Sequence, residues 1–364
     1  MILRKDMYMP TLAWRMGEYQ ALWSLEESIK DKVVPLICIP DLEFDFEKRQ
    51  FKKTVDEHVD PFSDRFKKKW GSRPAWIDLN HKLAERRLSN GCHVFDYIFH
   101  GLRSIEANFI PVIRLDSDHE TIVAVNKATQ IDHRGVGFRV QLEKLIPSDS
   151  ESHILKLAGK LSLQPDEVDL IIDLQAPNFI PYQHFAKALL SILKHYTHLS
   201  DFRNFILVSS AIPDGSHQIA KGIDEIPRHD WIFYQIFYSE LPNKVRYPIY
   251  GDYTTVYPKF KADMDMRIIR PAGKIIYTTP SYWATCKGGA FRDDREQMIK
   301  HCNTIVNHPK FQFRGPDFSD GDQFISSCAN GEKGPSNLTY WKRVTINHHI
   351  TTVVDDLANF CDSS

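Results

Sequence analysis

The chain has 364 residues, 42% of them hydrophobic, 26% charged and 12% aromatic, which is ordinary globular composition and excludes chain-wide disorder. Lysine and arginine number 46 against 47 aspartates and glutamates. The formal charge of −1 excludes bulk electrostatic capture of nucleic acid or anionic lipid, though not a local basic patch.

In chain order, short apolar runs recur, each followed by a polar or amphipathic stretch. The first is MPTLAWR (9–15), before a helix-like segment in which Tyr19, Leu22, Trp23, Leu25 and Ile29 share a face. VVPLICIP (33–40), PAWIDLN (74–80), FIPVIRLD (109–116) and VGFRVQLE (136–143) follow. VDLIIDLQ (168–175), FILVSSAIP (205–213) and PIYGDYTTVY (248–257) complete the series. Near-continuous apolar strands alternating with amphipathic helices imply a parallel sheet buried on both faces. Eight such units in about 250 residues fit a (β/α)8 TIM-like barrel better than a doubly wound open sheet. No GxGxxG and no GxxxxGK[ST] follows any strand, which disfavours dinucleotide and P-loop chemistry.

An alternative register makes GKIIYTTPSYW (273–283) the eighth strand. The preferred one keeps MPTLAWR as the first and PIYGDYTTVY as the eighth. RIIRPAGKIIYTT then reads as an appended hairpin around Pro271-Ala272-Gly273. Beyond it come a helix over DDREQMIKHCNTIVNH, a Gly/Ser/Asn-rich loop (319–337) and a helix-like or strand-like tail through HHITTVVDDL. No linker divides the chain. The expected organisation is therefore a barrel over 1–260 and a C-terminal elaboration, a hairpin plus helices, over 261–364 on the same domain.

No apolar run approaches the ~20 residues that span a bilayer, and the charged start lacks the apolar core of a secretory signal. Six scattered cysteines without a CxxC pair fit a reducing cytoplasm.

In a (β/α)8 barrel the C-terminal strand ends carry function. Asp78, Arg114, Arg139, Asp173 and Asp252 each lie in or at the end of an apolar strand, where a charge is costly unless paired or wet. Convergence would give a polar floor. Arg114 and Arg139 suit a phosphate or carboxylate. Asp78, Asp173 and Asp252 are candidate acid–base groups, or ligands of an ion such as Mg²⁺. A buried ion-pair network that closes the barrel and does no chemistry is the competing reading.

Other features are weaker. Ser209-Ser210 lacks the GxSxG elbow. Adjacent His348-His349 diverge on a helix and are a poor zinc pair, although one of them could reach the mouth. Lys67-Lys68-Lys69 with Trp70 reads first as a solvated face. Trp231, Phe233, Tyr234, Phe237 and Tyr238 exceed what one helix needs for packing. Trp231, Tyr234 and Tyr238 are therefore candidate partner-binding residues, for an oligomer or another protein.

The segment Tyr8-Met-Pro10-Thr-Leu-Ala-Trp14-Arg15-Met-Gly17-Glu18, followed by Val33-Val-Pro35-Leu, resembles the opening of the "protein beta" (beta family) proteins of phages and mobile defence loci. Gly251-Asp252-Tyr253, Gly321-Asp322-Gln-Phe-Ile325, Ala329, Trp341 and His348-His349-Ile-Thr extend the resemblance over nearly the whole chain. It implies a role in anti-phage defence or in modulating a toxic partner encoded nearby. It carries no catalytic mechanism. By resemblance, Arg15, Glu18, Asp252, Tyr253, Asp322 and His349 join the candidates.

Two function classes follow. In the first, the polar mouth, with Arg15, Glu18, Arg114, Arg139, Tyr253 and His349 as ligand contacts, takes a phosphorylated or nucleotide-like ligand, with metal-assisted hydrolysis as a variant. In the second, the barrel is a scaffold that binds an effector or toxin. Nucleic-acid binding ranks last, because it needs a basic face that the overall charge does not advertise.

Overall fold

The computed structural model describes residues 1–242, 246–258 and 269–362. Its contacts divide into two compact units. One holds residues 1–14, 34–209 and 233–252, and the other 15–33, 210–232 and 253–364.

The first unit is a closed eight-stranded barrel. Its strands are β1 (Tyr8–Ala13), β2 (Leu36–Ile39), β3 (Ala75–Leu79), β4 (Phe109–Ile113), β5 (Val136–Gln141), β6 (Val168–Gln175), β7 (Asn204–Ser209) and β9 (Ile249–Asp252). All neighbours are parallel, in the order β1-β9-β7-β6-β5-β4-β3-β2. Every residue of β3, β4 and β7 is buried, as a sheet covered on both faces requires. The barrel closes where Tyr8, Met9 and Pro10 pair with Tyr250, Gly251 and Asp252, so the register with a first strand near residue 9 and an eighth near 250 holds. Gly137 faces the interior because a Cβ there would lie 2.9 Å from Val112 Cγ2 and 3.1 Å from Trp76 Cδ1.

Of the expected first stripe Tyr19, Leu22 and Leu25 are buried, whereas Ile29 is half-buried and Trp23 is exposed. The helix Val94–Ser104 turns Phe95 and Phe99 inward. Phe99 stacks on Phe95 at 5.0 Å and on Phe109 of β4 at 5.1 Å. His93 caps this helix by accepting the Phe95 amide at 3.1 Å.

The second unit carries a three-stranded antiparallel sheet in the order β8-β11-β10, with β8 at Gly222–Pro227, β10 at Ala272–Thr278 and β11 at Tyr282–Ala290. Its helices include α1 (Met16–Trp23), α2 (Gln297–Asn307), α3 (Asp320–Ala329) and α4 (Leu338–Asp362). Ile275, Tyr277, Met298, Phe324 and Trp341 lie in the core between sheet and helices. None of the described helices is long and apolar enough to cross a membrane.

Two expectations are corrected here, and one strand was not expected. Pro271-Ala272-Gly273 opens a strand and is not the hairpin turn. The turn lies at Thr279–Ser281, where the Thr279 amide donates to the Tyr282 carbonyl at 2.9 Å. Residues 267–268 of the expected first arm lie outside the described residues. The segment 319–337 is not all loop, because Ser319 caps α3 by accepting the Asp322 amide, and Gly321, Phe324, Ile325 and Cys328 form a buried face. The strand β8, with alternating half-buried and exposed residues, carries too weak an apolar signal to have been read.

Candidate functional site

Alternation along the strands decides which charges meet. In β5 Gly137 points inward, so Arg139, two residues on, does too. Arg139 Nη1 reaches Asp78 Oδ2 at 2.7 Å, while Nε and Nη2 reach Asp173 Oδ2 at 2.9 and 2.8 Å. Arg114, just past β4, places Nη2 2.6 Å from Asp78 Oδ2 and Nη1 3.1 Å from the Leu79 carbonyl. The Gln175 amide donates to Asp173 Oδ1 at 2.9 Å. The four expected charges at the ends of β3 to β6 thus form one neutral cluster at the C-terminal end of the barrel.

Access is graded across the cluster. The Asp78 and Asp173 side chains are 1% exposed, Arg139 is 9% and Arg114 is 27% exposed. Arg114 is therefore the rim. Half-buried Cys38 of β2 lies 3.3 Å from Arg139 Nη1, and burial pushes its thiol up to about 11 despite that guanidinium. A cavity of about 100 Å³ beside the rim is lined by Asp78, His81, Glu85, Arg114, Asp116 and Ser117, among others. Its acidic lining offsets the attraction of Arg114 for an anion.

Asp78 and Asp173 direct carboxylate oxygens at guanidinium donors. On each carboxylate it is Oδ2 that carries these contacts, so the arginines compete with a proton or a metal ion for that oxygen. Among the described residues no three His, Cys, Asp or Glu side chains gather to hold a metal ion.

Asp252 does not join the cluster. Gly251 fills the inward position of β9, where a Cβ would meet the Met9 carbonyl at 2.9 Å and Val208 at 3.0 Å. Tyr250 and Asp252 therefore face outward. Tyr250 packs on Tyr234 at 4.9 Å, and Asp252 accepts the Tyr8 hydroxyl and, at 3.2 Å, that of Tyr250. This corrects its expected place at the mouth.

The other candidates drawn from resemblance fall in the second unit. Arg15 precedes α1, and Tyr253 is buried. Glu18 of α1 takes the Lys342 ammonium of α4 at 2.5 Å. His349 is buried on α4, with Nδ1 2.9 Å from Thr278 Oγ1. The aromatic helix His229–Glu240 spends its rings internally: Trp231 and Tyr234 are 4% and 2% exposed. Trp231 sits edge-on to Phe360 at 5.8 Å. Half-buried Tyr238 stacks on Tyr247 at 4.4 Å. The expected exposed stripe is corrected accordingly, since these aromatics are largely core.

One cluster escaped the sequence reading, and a second joins Asp322, a candidate by resemblance, to partners the sequence did not group with it. At the opposite end of the barrel Asp169 takes Arg203 on both oxygens, at 2.8 and 2.7 Å, the Trp76 indole at 2.8 Å and the Asn204 amide at 2.6 Å. Strand alternation could have flagged Asp169, which shares the inward face of Asp173. In the second unit Asp322 meets His348 Nδ1 at 2.8 Å, Tyr277 at 2.7 Å and Ser319 at 2.5 Å. His348 Nε2 faces the Thr278 carbonyl at 2.9 Å, and its ring stacks on Tyr277 at 3.8 Å. Burial opposes the Asp322 charge, but His348, Ser319 and Tyr277 outweigh it and hold the carboxyl below its usual value.

A family model described as Beta protein matches residues 8–355. No curated protein matches. Among solved structures, 3-dehydroquinate dehydratase from Enterococcus faecalis is similar at 12% identity, covering 59% of this chain and 82% of its own, with a TM-score of 0.34.

Proposed function

The chain belongs to the Beta protein family, and from that premise we propose that it is a cytoplasmic binding protein whose barrel serves as a scaffold. It acts in anti-phage defence or in the control of a toxic partner, and it engages an effector or toxin encoded nearby. The observation that carries this reading is Arg139, whose guanidinium joins Asp78 and Asp173. A carboxylate that acts as base or metal ligand needs a lone pair to spare, and these two direct oxygens at arginines.

A second reading has one observation in its favour. Arg114 stands at the rim beside a cavity, where a phosphorylated or nucleotide-like ligand, with Mg²⁺ or without, would contact it. Its hydrolytic variant would assign the chemistry to Asp78 and Asp173.

The test compares Arg114→Met and Asp173→Asn chains, confirmed as folded, for phage restriction in cells that carry the neighbouring gene. The scaffold reading expects restriction to survive in both, and a stoichiometric protein to co-purify with the wild-type chain. Loss of restriction in a folded Arg114→Met chain would overturn it in favour of the ligand-binding mouth. A chain that always purifies alone would also count against it.

A further inference from the structure

We propose that a cavity in the barrel unit binds a small, neutral, ring-shaped ligand that brings its own hydrogen-bond donor, of the size and chemistry of a phenol. The cavity lies where the start of the helix Ser150–Lys160 meets the end of the helix Tyr182–Leu193. None of the four clustered charges lines it, so the inference is independent of the barrel mouth. Its volume is about 150 Å³. An aliphatic cavity of that size takes up one benzene ring. Nucleotide- and drug-sized ligands need roughly 300–1,000 Å³. The volume thus admits a single ring and excludes a nucleotide. Leu145, Ile146, Pro147 and Ile192 supply apolar wall. Ile146 is 63% exposed, and a ring seated against it removes that side chain from water.

Polar groups line the rest of the cavity, and the two buried hydroxyls have their hydrogens assigned. Ser150 and Tyr196 are 2% and 6% exposed, with hydroxyl oxygens 2.5 Å apart. Ser150 Oγ donates to the Leu145 carbonyl at 3.0 Å. A serine hydroxyl holds one hydrogen, so Tyr196 is the donor to Ser150. Burial raises the Tyr196 pKa against the opposing effect of the Ser150 contact, which keeps that hydrogen in place at neutral pH. Both hydroxyl hydrogens are therefore spent, and each oxygen keeps capacity to accept. A ligand that donates finds a partner there, whereas one that only accepts finds none. Glu151 gives its two oxygens to the Thr197 hydroxyl at 3.1 Å and the His198 amide at 2.7 Å, and its charge disfavours an anion. Ser191 and His195 are exposed and form the rim.

The experiment titrates the full chain by calorimetry with phenol and, separately, with anisole. Anisole keeps the ring and the oxygen but has no hydrogen to donate. Saturable one-to-one binding of phenol is expected, about fivefold tighter than that of anisole, as one hydrogen bond is worth. Ser191→Trp places a large side chain at the exposed rim and should abolish phenol binding. Ser150→Ala frees the Tyr196 hydrogen for a ligand, so the preference for phenol should shrink. Absence of saturable phenol binding to the wild-type chain would overturn the proposal. So would equal affinity for the two ligands, undiminished binding by a folded Ser191→Trp chain, or an undiminished preference for phenol in a folded Ser150→Ala chain.

Discussion

Arg139 and Asp78 meet 2.7 Å apart inside the barrel although β4 lies between their strands. The contact is a chord across the interior, and Arg139 continues it to Asp173. Replacing Arg139 by Met would leave the Asp173 carboxylate buried without its guanidinium. Loss of one partner from such a pair costs about 3–5 kcal/mol. We predict a loss of that order in urea unfolding, with part recovered when Asp173→Asn is added. An Arg139→Met chain as stable as wild type would show that the cluster does not hold the barrel together.

The four charges were legible because apolar strands frame them, and their parity puts them on one face. Asp252 was misread because the inward position of the short β9 falls on Gly251, and a glycine reads as neutral in a hydrophobic pattern. The helix over 320–329 was hidden by its Gly/Ser/Asp composition. Its stability comes from the Ser319 cap and from packing on α4, and only the cap is a local signal. The pairing of Asp322 with His348 spans 26 residues and depends on how α3 meets α4, which no spacing rule supplies.

That pairing has a pH signature. The folded-state pKa of Asp322 lies below its unfolded value. Its contribution is therefore complete above the unfolded value of about 3.9 and drains away as pH falls through the lower folded one. The urea midpoint of wild type should fall with acid over that window. Asp322→Asn should start lower at neutral pH and fall less steeply. Parallel curves for the two chains would show that Asp322 contributes nothing to the acid sensitivity.

Cys38 is half-buried at the barrel mouth, yet burial keeps its thiol protonated, with a pKa of about 11. The thiolate is the reactive form, so labelling at neutral pH should be slow. Its rate should climb about tenfold per pH unit up to pH ~10, as a thiolate fraction set by that pKa requires. Disulfide-exchange labelling followed by peptide mapping reads the rate at this residue. A plateau near pH 8 would mean that Arg139 stabilises the thiolate more than burial opposes it.

The final prediction concerns how closely α3 and α4 approach. A Cβ on Gly321 would sit 2.5 Å from the Val344 carbonyl of α4, and that atom belongs to backbone which cannot swing aside. The neighbouring contacts tie the same spot down, because the Gly321 amide donates to Asn347 Oδ1 at 2.9 Å and Asp322 holds His348. Gly321→Ala must therefore push the helices apart or bend one of them. Overpacking of this kind costs about 1–3 kcal/mol. The comparison that isolates the effect is Gly289→Ala, where the added methyl meets nothing within 4 Å. We predict that Gly321→Ala lowers the urea midpoint clearly and that Gly289→Ala leaves it close to wild type. If the two substitutions cost the same, the loss reflects glycine replacement in general, and the close contact between α3 and α4 is not what Gly321 provides.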